Sequence, residues 1–488
     1  MQQPLVLALD IGSSSIRASV YDGAGNPIDS LSAKHDRQFH FDADGTAELD
    51  ADDAVEQVAR TVDELLGKTD QLGMEIEYVA VCSMWHTLVG IDERGRPTTK
   101  VFSWADSRSR KYADELKNGF NQDHVRSRTG SPFHSSYWPA KLLWLKSEFK
   151  SAYNATTQWL SFSDYLGLIL FDETATSLSM ASGTGLFDIR RCRWDEELAS
   201  FLGVDTARLP AVTSEPRELN QKNAKRWPSL RRSKWFVSIG DGAADNVGAG
   251  CVTKNKAALM LGTSGALRVA YSGQPPKEIP KGLWCYRVDE QRVIVGGALS
   301  DGGGLYDWLR TNLILPHDAE KLIGQSGPGA NGLTFLPFLA GERSTGYHGS
   351  ASGAILGLTS ATRPADIVRS ALESIAFRFA DILERISTVT QIEEIVASGG
   401  ALRDSPVWAQ LIADVLGRDL MMNGAAESSS RGAVLLALES LGKIENIERT
   451  SQSHTRPVTT NKAHFGLYEA ARKRHQDAYR LLIDKPDF

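Results

Sequence analysis

Cysteine is scarce in this chain. Its 488 residues hold four, Cys82, Cys192, Cys251 and Cys285, far apart and without the paired spacing of zinc or redox sites. That excludes a disulfide framework and reads as thiols packed in cores. No HExxH pair and no spaced Cys/His set occurs, so no transition-metal centre is expected. Long apolar runs are missing as well, and the opening MQQPLVLALD has no basic flank and meets an acid within ten residues. A cytoplasmic protein with no membrane partner is expected. Nor is there a basic excess: Lys+Arg 54 against Asp+Glu 60 gives a formal net charge of -6, which argues against a non-specific nucleic-acid binder.

What is present is length enough for two cores and a repeated phrase. LVLALDIGSSS, from Leu5 to Ser15, is echoed by AALMLGTSG from Ala257 to Gly265. Each is an apolar strand ending in a Gly and hydroxyl turn, whose bare N–H groups and Ser or Thr hydroxyls can hold phosphate oxygens. Two such turns suggest two similar halves facing a polyphosphate across a cleft. The alternation in IRASVYDGAGNPI, broken at Asp22-Gly23 and resumed after Pro27, predicts a hairpin. DADDAVEQVARTVDELL predicts an amphipathic helix over it, capped by Asp50 or Asp52, and Tyr78 to Cys82 a buried strand. The chain is expected to divide at the basic run before WFVSIGDG, giving domains 1–234 and 235–488. Later, PADIVRSALESIAFRFADILERI predicts a long helix, and IEEIVASGG a strand ending in Gly399-Gly400. The following helix is expected to start at Ser405-Pro406 and stop at Gly417.

Several residues could carry chemistry. Asp10 ends the first strand beside the phosphate-binding turn, where a carboxylate fits if Mg²⁺ lies between; such an Asp taken alone is more often a turn or cap residue, and the second copy and the glycine pair tip the balance to the metal. Asp241, in SIGDGAADN, could accept a proton from an attacking hydroxyl or could cap a helix begun at Ala243, with Asp245 as understudy. Trp85 and His86, with Trp104 and Asp106 of WADSRS, could line a sugar site or belong to the core. Gly67-Lys68-Thr69 lacks the upstream glycine and strand of a phosphate loop and reads as a helix terminus.

The order of these pieces resembles one family end to end, the FGGY carbohydrate kinases. The resemblance is carried most specifically by GAILGLTSATRPADIVRSALES from Gly353. It is supported by DIGSSSIR, WADSRS, SYWPAKLLWLKSE, GDGAADN, GTSGALR, FLPFLAGER and ASGGALRDSPVWAQLIADVLG. The resemblance implies an α/β fold of two ribonuclease H-like domains, as in hexokinase and actin, each a mixed sheet flanked by helices around a central cleft. It implies ATP and Mg²⁺ in that cleft, with Asp10, Gly12, Ser13, Ser14 and Arg17 on one side. Gly262, Thr263, Gly303, Asp307, Gly399, Gly400 and Asp404 would lie on the other. It further implies Asp241 as catalytic base, Asp10 and Asp241 as metal ligands, and Trp85, His86, Trp104, Asp106 and Asp241 around a small sugar or sugar acid. SMWHTLVGID, GDGAADN and GTSGALR with FLAGERS are similar to the gluconate kinase branch, with xylulose kinases next. A pentulose or polyol kinase is the alternative within the family, a homodimer is left open, and an actin-like nucleotide-gated binder is the alternative outside it.

Overall fold

The computed structural model describes residues 4–329, 332–424, 427–450 and 457–484. The first strand, Val6–Ile11, runs antiparallel to Ser15–Tyr21, which is antiparallel to Pro27–Asp36. Tyr78–Ser83 adds in parallel on the other side, and the short strands Lys234–Trp235 and Ile239–Gly240 extend that edge. The second sheet repeats the plan. Lys256–Leu261 pairs antiparallel with Gly265–Ser272, which pairs with Arg292–Leu299, while Glu394–Ser398 and then Leu420–Met422 add in parallel. The α/β fold of two mixed sheets flanked by helices follows from this pairing.

Successive side chains on a strand point to opposite faces, and in the first sheet both faces are covered. Leu7, Leu9 and Ile11 pack with Val58, Val62 and Leu65 of helix Ala51–Gln71. That helix starts where Asp50 accepts from the amides of Asp52 and Asp53, and its last turn contains Gly67-Lys68-Thr69. Val6 and Ala8 face the other way and pack with Ala244 of helix Asp241–Gly248 and with Ala433, Val434, Ala437 and Leu438 of helix Ser428–Ser440. A helix from the far end of the chain therefore roofs the first sheet. Asp10 shares the face of Val6 and Ala8, and the same alternation directs its carboxylate toward helix Asp241–Gly248.

Helix Pro364–Ile386 lies on the second sheet, its Val368, Ile375, Phe379 and Ile382 packed with Leu259, Leu261, Leu267 and Val295. Helix Pro406–Leu416 begins at Ser405, whose hydroxyl accepts from the Trp408 amide, and ends at a left-handed Gly417. The division expected between 234 and 235 falls inside strand Lys234–Trp235, which pairs with Tyr78–Ser83. The first sheet keeps the chain as far as Gly240 because Ile239–Gly240 also pairs with Tyr78–Ser83. Among the described residues no helix is long and apolar enough to cross a membrane.

Candidate active site

Between the sheets runs a cleft of about 2030 Å³ lined by residues of both halves. A pocket for one small molecule is typically about 300–1,000 Å³, so this one has room for two ligands side by side. Gly12, Ser13, Ser14 and Arg17 line one wall; Gly262, Thr263, Gly399 and Gly400 line the other. The second wall is knit together by backbone. The Gly303 and Gly304 amides donate to the Gly262 and Thr263 carbonyls at 2.7 and 3.0 Å. Gly399, at φ 106, lies so close to the end of strand Lys256–Leu261 that a Cβ there would sit 2.2 Å from the Leu261 carbonyl oxygen. Only glycine meets both demands.

Asp10 and Asp241 reach the cleft from neighbouring elements. Asp10 is buried; Arg17 stands 3.6 Å from it and the Cys82 thiol donates to it at 3.5 Å. Burial dominates, and with the nearby Asp241 charge it pushes the Asp10 carboxyl up to about 7. Asp241 is the first residue of its helix, after Gly240, and its Oδ1 accepts from the Gly242 amide at 2.8 Å. Burial raises its carboxyl above the usual range against the pull of Arg268. Arg268 laces this turn in place, donating to the Gly242 carbonyl at 2.8 Å and pairing with Asp245 at 3.2 Å.

Trp85 underlies the same turn. A Cβ on Gly240 or Gly242 would fall 1.9 or 2.6 Å from its indole, whose Nε1 donates to the Ser179 carbonyl. His86, at φ 69, bonds through Nδ1 to the Gly183 carbonyl, so Nε2 faces the cleft as an acceptor. Burial and the Arg343 charge hold this imidazole neutral, well below its ordinary pKa. Trp104 donates from Nε1 to Ser13 Oγ at 3.1 Å, tying the aromatic end to the first phosphate turn. These residues come together as the sequence analysis expects.

Four others do not. Gly303 stands behind the wall, its amide held by the Gly262 carbonyl, while Gly304 lines the cleft. Asp106 is fully buried, and its carboxylate pairs with Arg108 at 2.5 Å and accepts from the Ala47 amide, away from the cleft wall. Asp307 is exposed on helix Gly303–Asn312, where its neighbour Trp308 lines the cleft instead. Asp404 is exposed and faces Arg403 at 3.4 Å. Conversely, Asp301, Arg268, His134 and Arg343 line the cleft and are absent from the sequence-based set. Asp301 had a visible signal: ALSDGGG is a third strand running into a glycine-rich turn. Its carboxyl is pushed up to about 7 by burial.

Residues 5–227 match the N-terminal domain of the FGGY family of carbohydrate kinases, and residues 257–441 match its C-terminal domain. The chain belongs to the FGGY family of carbohydrate kinases. This FGGY kinase is similar to a gluconokinase of Bacillus subtilis (strain 168), 27% identical over 98% of this chain and 94% of the relative. Its fold superposes on a gluconate kinase from Lactobacillus acidophilus with a TM-score of 0.89, at 23% identity and covering 98% of both chains. A ligand-bound xylulose kinase from the same organism gives the same TM-score at 24% identity, again covering 98% of both chains. As an FGGY kinase, the protein is an ATP-dependent carbohydrate kinase acting on a small sugar or sugar acid.

Proposed function

We propose that the chain transfers the γ-phosphoryl group of ATP to a hydroxyl of a small sugar acid, gluconate first among them, with Asp241 as the base. The observation that carries the reading is Asp241 itself, at a helix start held by Arg268 and Trp85, with a carboxyl raised by burial. A base with a raised pKa accepts the hydroxyl proton more readily. The substrate oxygen forms its bond to Pγ, the bond from Pγ to the bridging oxygen breaks, ADP leaves, and the proton stays on Asp241. The transition state is loose, so the glycine turns contribute chiefly by aligning the phosphates.

The residues present suit Mg²⁺. Asp10 and Asp241 offer hard oxygen donors whose charges repel within a poorly hydrated wall. Among the described residues no cluster of three or more His, Cys, Asp or Glu could hold a metal alone. That is the arrangement Mg²⁺ uses when phosphate oxygens and water complete its shell. Bound there, the cation would supply charge neutralisation on the leaving diphosphate. Dependence on ATP also favours a cytoplasmic enzyme.

Support for gluconate comes from the gluconokinase relative, which spans the chain from end to end. The test is ADP release with gluconate, xylulose, ribulose and glycerol offered separately. Preferred turnover of gluconate supports the reading; preferred turnover of a neutral ketose or polyol replaces it with the pentulose or polyol alternative.

A further inference from the structure

Four other arginines on the cleft wall are already engaged. Arg17, Arg268 and Arg403 face carboxylates, and Arg37 is held by the Gln57 side chain and the Ala54 carbonyl. Arg343 differs. Its guanidinium lies over the Trp104 ring, 5.1 Å from the centroid, and Nη2 stands 3.5 Å from His86 Nε2. Among the described residues no carboxylate lies within ion-pair distance of it.

The surroundings do not quench this charge. His86 and His134 are buried and held neutral, each partly by Arg343 itself, and Lys141, wholly buried behind the Ser135 and Ser136 carbonyls, is lowered by burial to about 7.

Arg343 is also fixed from behind. Its neighbour Glu342 is buried in an ion pair with Arg378 and accepts from the Tyr479 hydroxyl at 2.7 Å. The Ser344 amide donates to the Ala298 carbonyl at 2.9 Å and the Tyr347 amide to the Arg343 carbonyl at 2.8 Å. A guanidinium held so firmly loses little entropy on binding, and its planar fork matches a carboxylate. A neutral polyol or ketose offers that fork nothing of opposite charge.

We propose that Arg343 is the specificity-determining residue of the sugar pocket, binding the carboxylate of an acyclic sugar acid. Trp104 supplies the face on which the guanidinium rests and His86 Nε2 an acceptor for a substrate hydroxyl. This rests on the sugar-acid reading above and assigns that preference to one side chain.

The experiment measures KM for gluconate, KM for ATP and the competitive Ki of glucitol, the neutral polyol of the same length, in wild type, Arg343→Gln and Arg343→Lys. ADP binding reports whether each variant is folded. Loss of a charge-assisted fork predicts a rise in gluconate KM of about 10- to 150-fold for Arg343→Gln, partial rescue in Arg343→Lys, and glucitol Ki and ATP KM unchanged. Equal weakening of gluconate and glucitol, or a rise confined to ATP, overturns the role of Arg343 while leaving a gluconate kinase in place. A wild type that ignores sugar acids and turns over neutral sugars overturns the sugar-acid reading itself.

Discussion

Helices Asp241–Gly248 and Ser428–Ser440 meet backbone to backbone, and a single methyl group should force them apart. A Cβ on Gly432 would lie 1.8 Å from the Ala244 carbonyl oxygen, and one on Gly248 would lie 1.8 Å from the Ser428 carbonyl oxygen. Ordinary carbon contacts need about 3.5 Å, so Gly432→Ala requires the helices to separate by roughly 1.7 Å. Alanine returns about 1 kcal/mol of helix propensity, but overpacking against rigid backbone costs about 1–3 kcal/mol or more. The clash wins, because neither partner is a side chain that can turn aside. Melting should fall by several degrees, on the scale of roughly 2–4 °C per kcal/mol for a lobe of this size. Because the displaced helix carries Asp241 at its first residue, a shift of that size should lower kcat about 10²-fold. Differential scanning fluorimetry and ADP release under saturating substrates read both effects. Wild-type melting together with wild-type kcat in Gly432→Ala would refute the packing argument.

Replacing the base, Asp241→Asn, should lower kcat by about 10²–10⁴-fold with sugar KM little changed, as steady-state kinetics will show. Burial pushes the Asp10 carboxyl up to about 7 in the folded protein, from an ordinary aspartate value of about 3.8. The native state therefore holds a proton that the unfolded chain releases between those values, and stability drains away as pH rises through that window. Asp10→Asn should accordingly melt above wild type at pH 8, with the gain shrinking by pH 5, while activity is lost; a gain independent of pH would contradict the burial argument. Gly399→Ala, strained at φ 106 and clashing with the Leu261 carbonyl, should weaken ADP binding in calorimetry far more than it alters binding of the sugar.

The sequence made some elements legible and hid others, for local and non-local reasons respectively. The Asp50 cap, the Ser405-Pro406 start and the Gly417 stop are each decided by atoms within four residues, and the helices begin and end there. The echo of LVLALDIGSSS in AALMLGTSG marks the opening strands of two sheets with like pairing, with Met260 standing in the second where Asp10 stands in the first. WFVSIGDG reads as one strand but pairs only at Lys234–Trp235 and Ile239–Gly240. Asp106 was not readable because Arg108 and the distant Ala47 amide decide where its carboxylate points. Arg343 was equally hidden: the Trp104 ring beneath it and the Arg378 that holds its neighbour Glu342 come from elsewhere in the chain.

The helix Ser428–Ser440 has a consequence for synthesis. Val6, Ala8, Ala80 and Cys82 are covered by Ala244 and by Ala433, Val434, Ala437 and Leu438, so a nascent chain carries a partly bare apolar sheet surface until nearly nine-tenths of it has left the ribosome. Severing the gene between the halves would strand that surface permanently, and the first half made alone should precipitate or stay bound to chaperones unless this helix is supplied in trans.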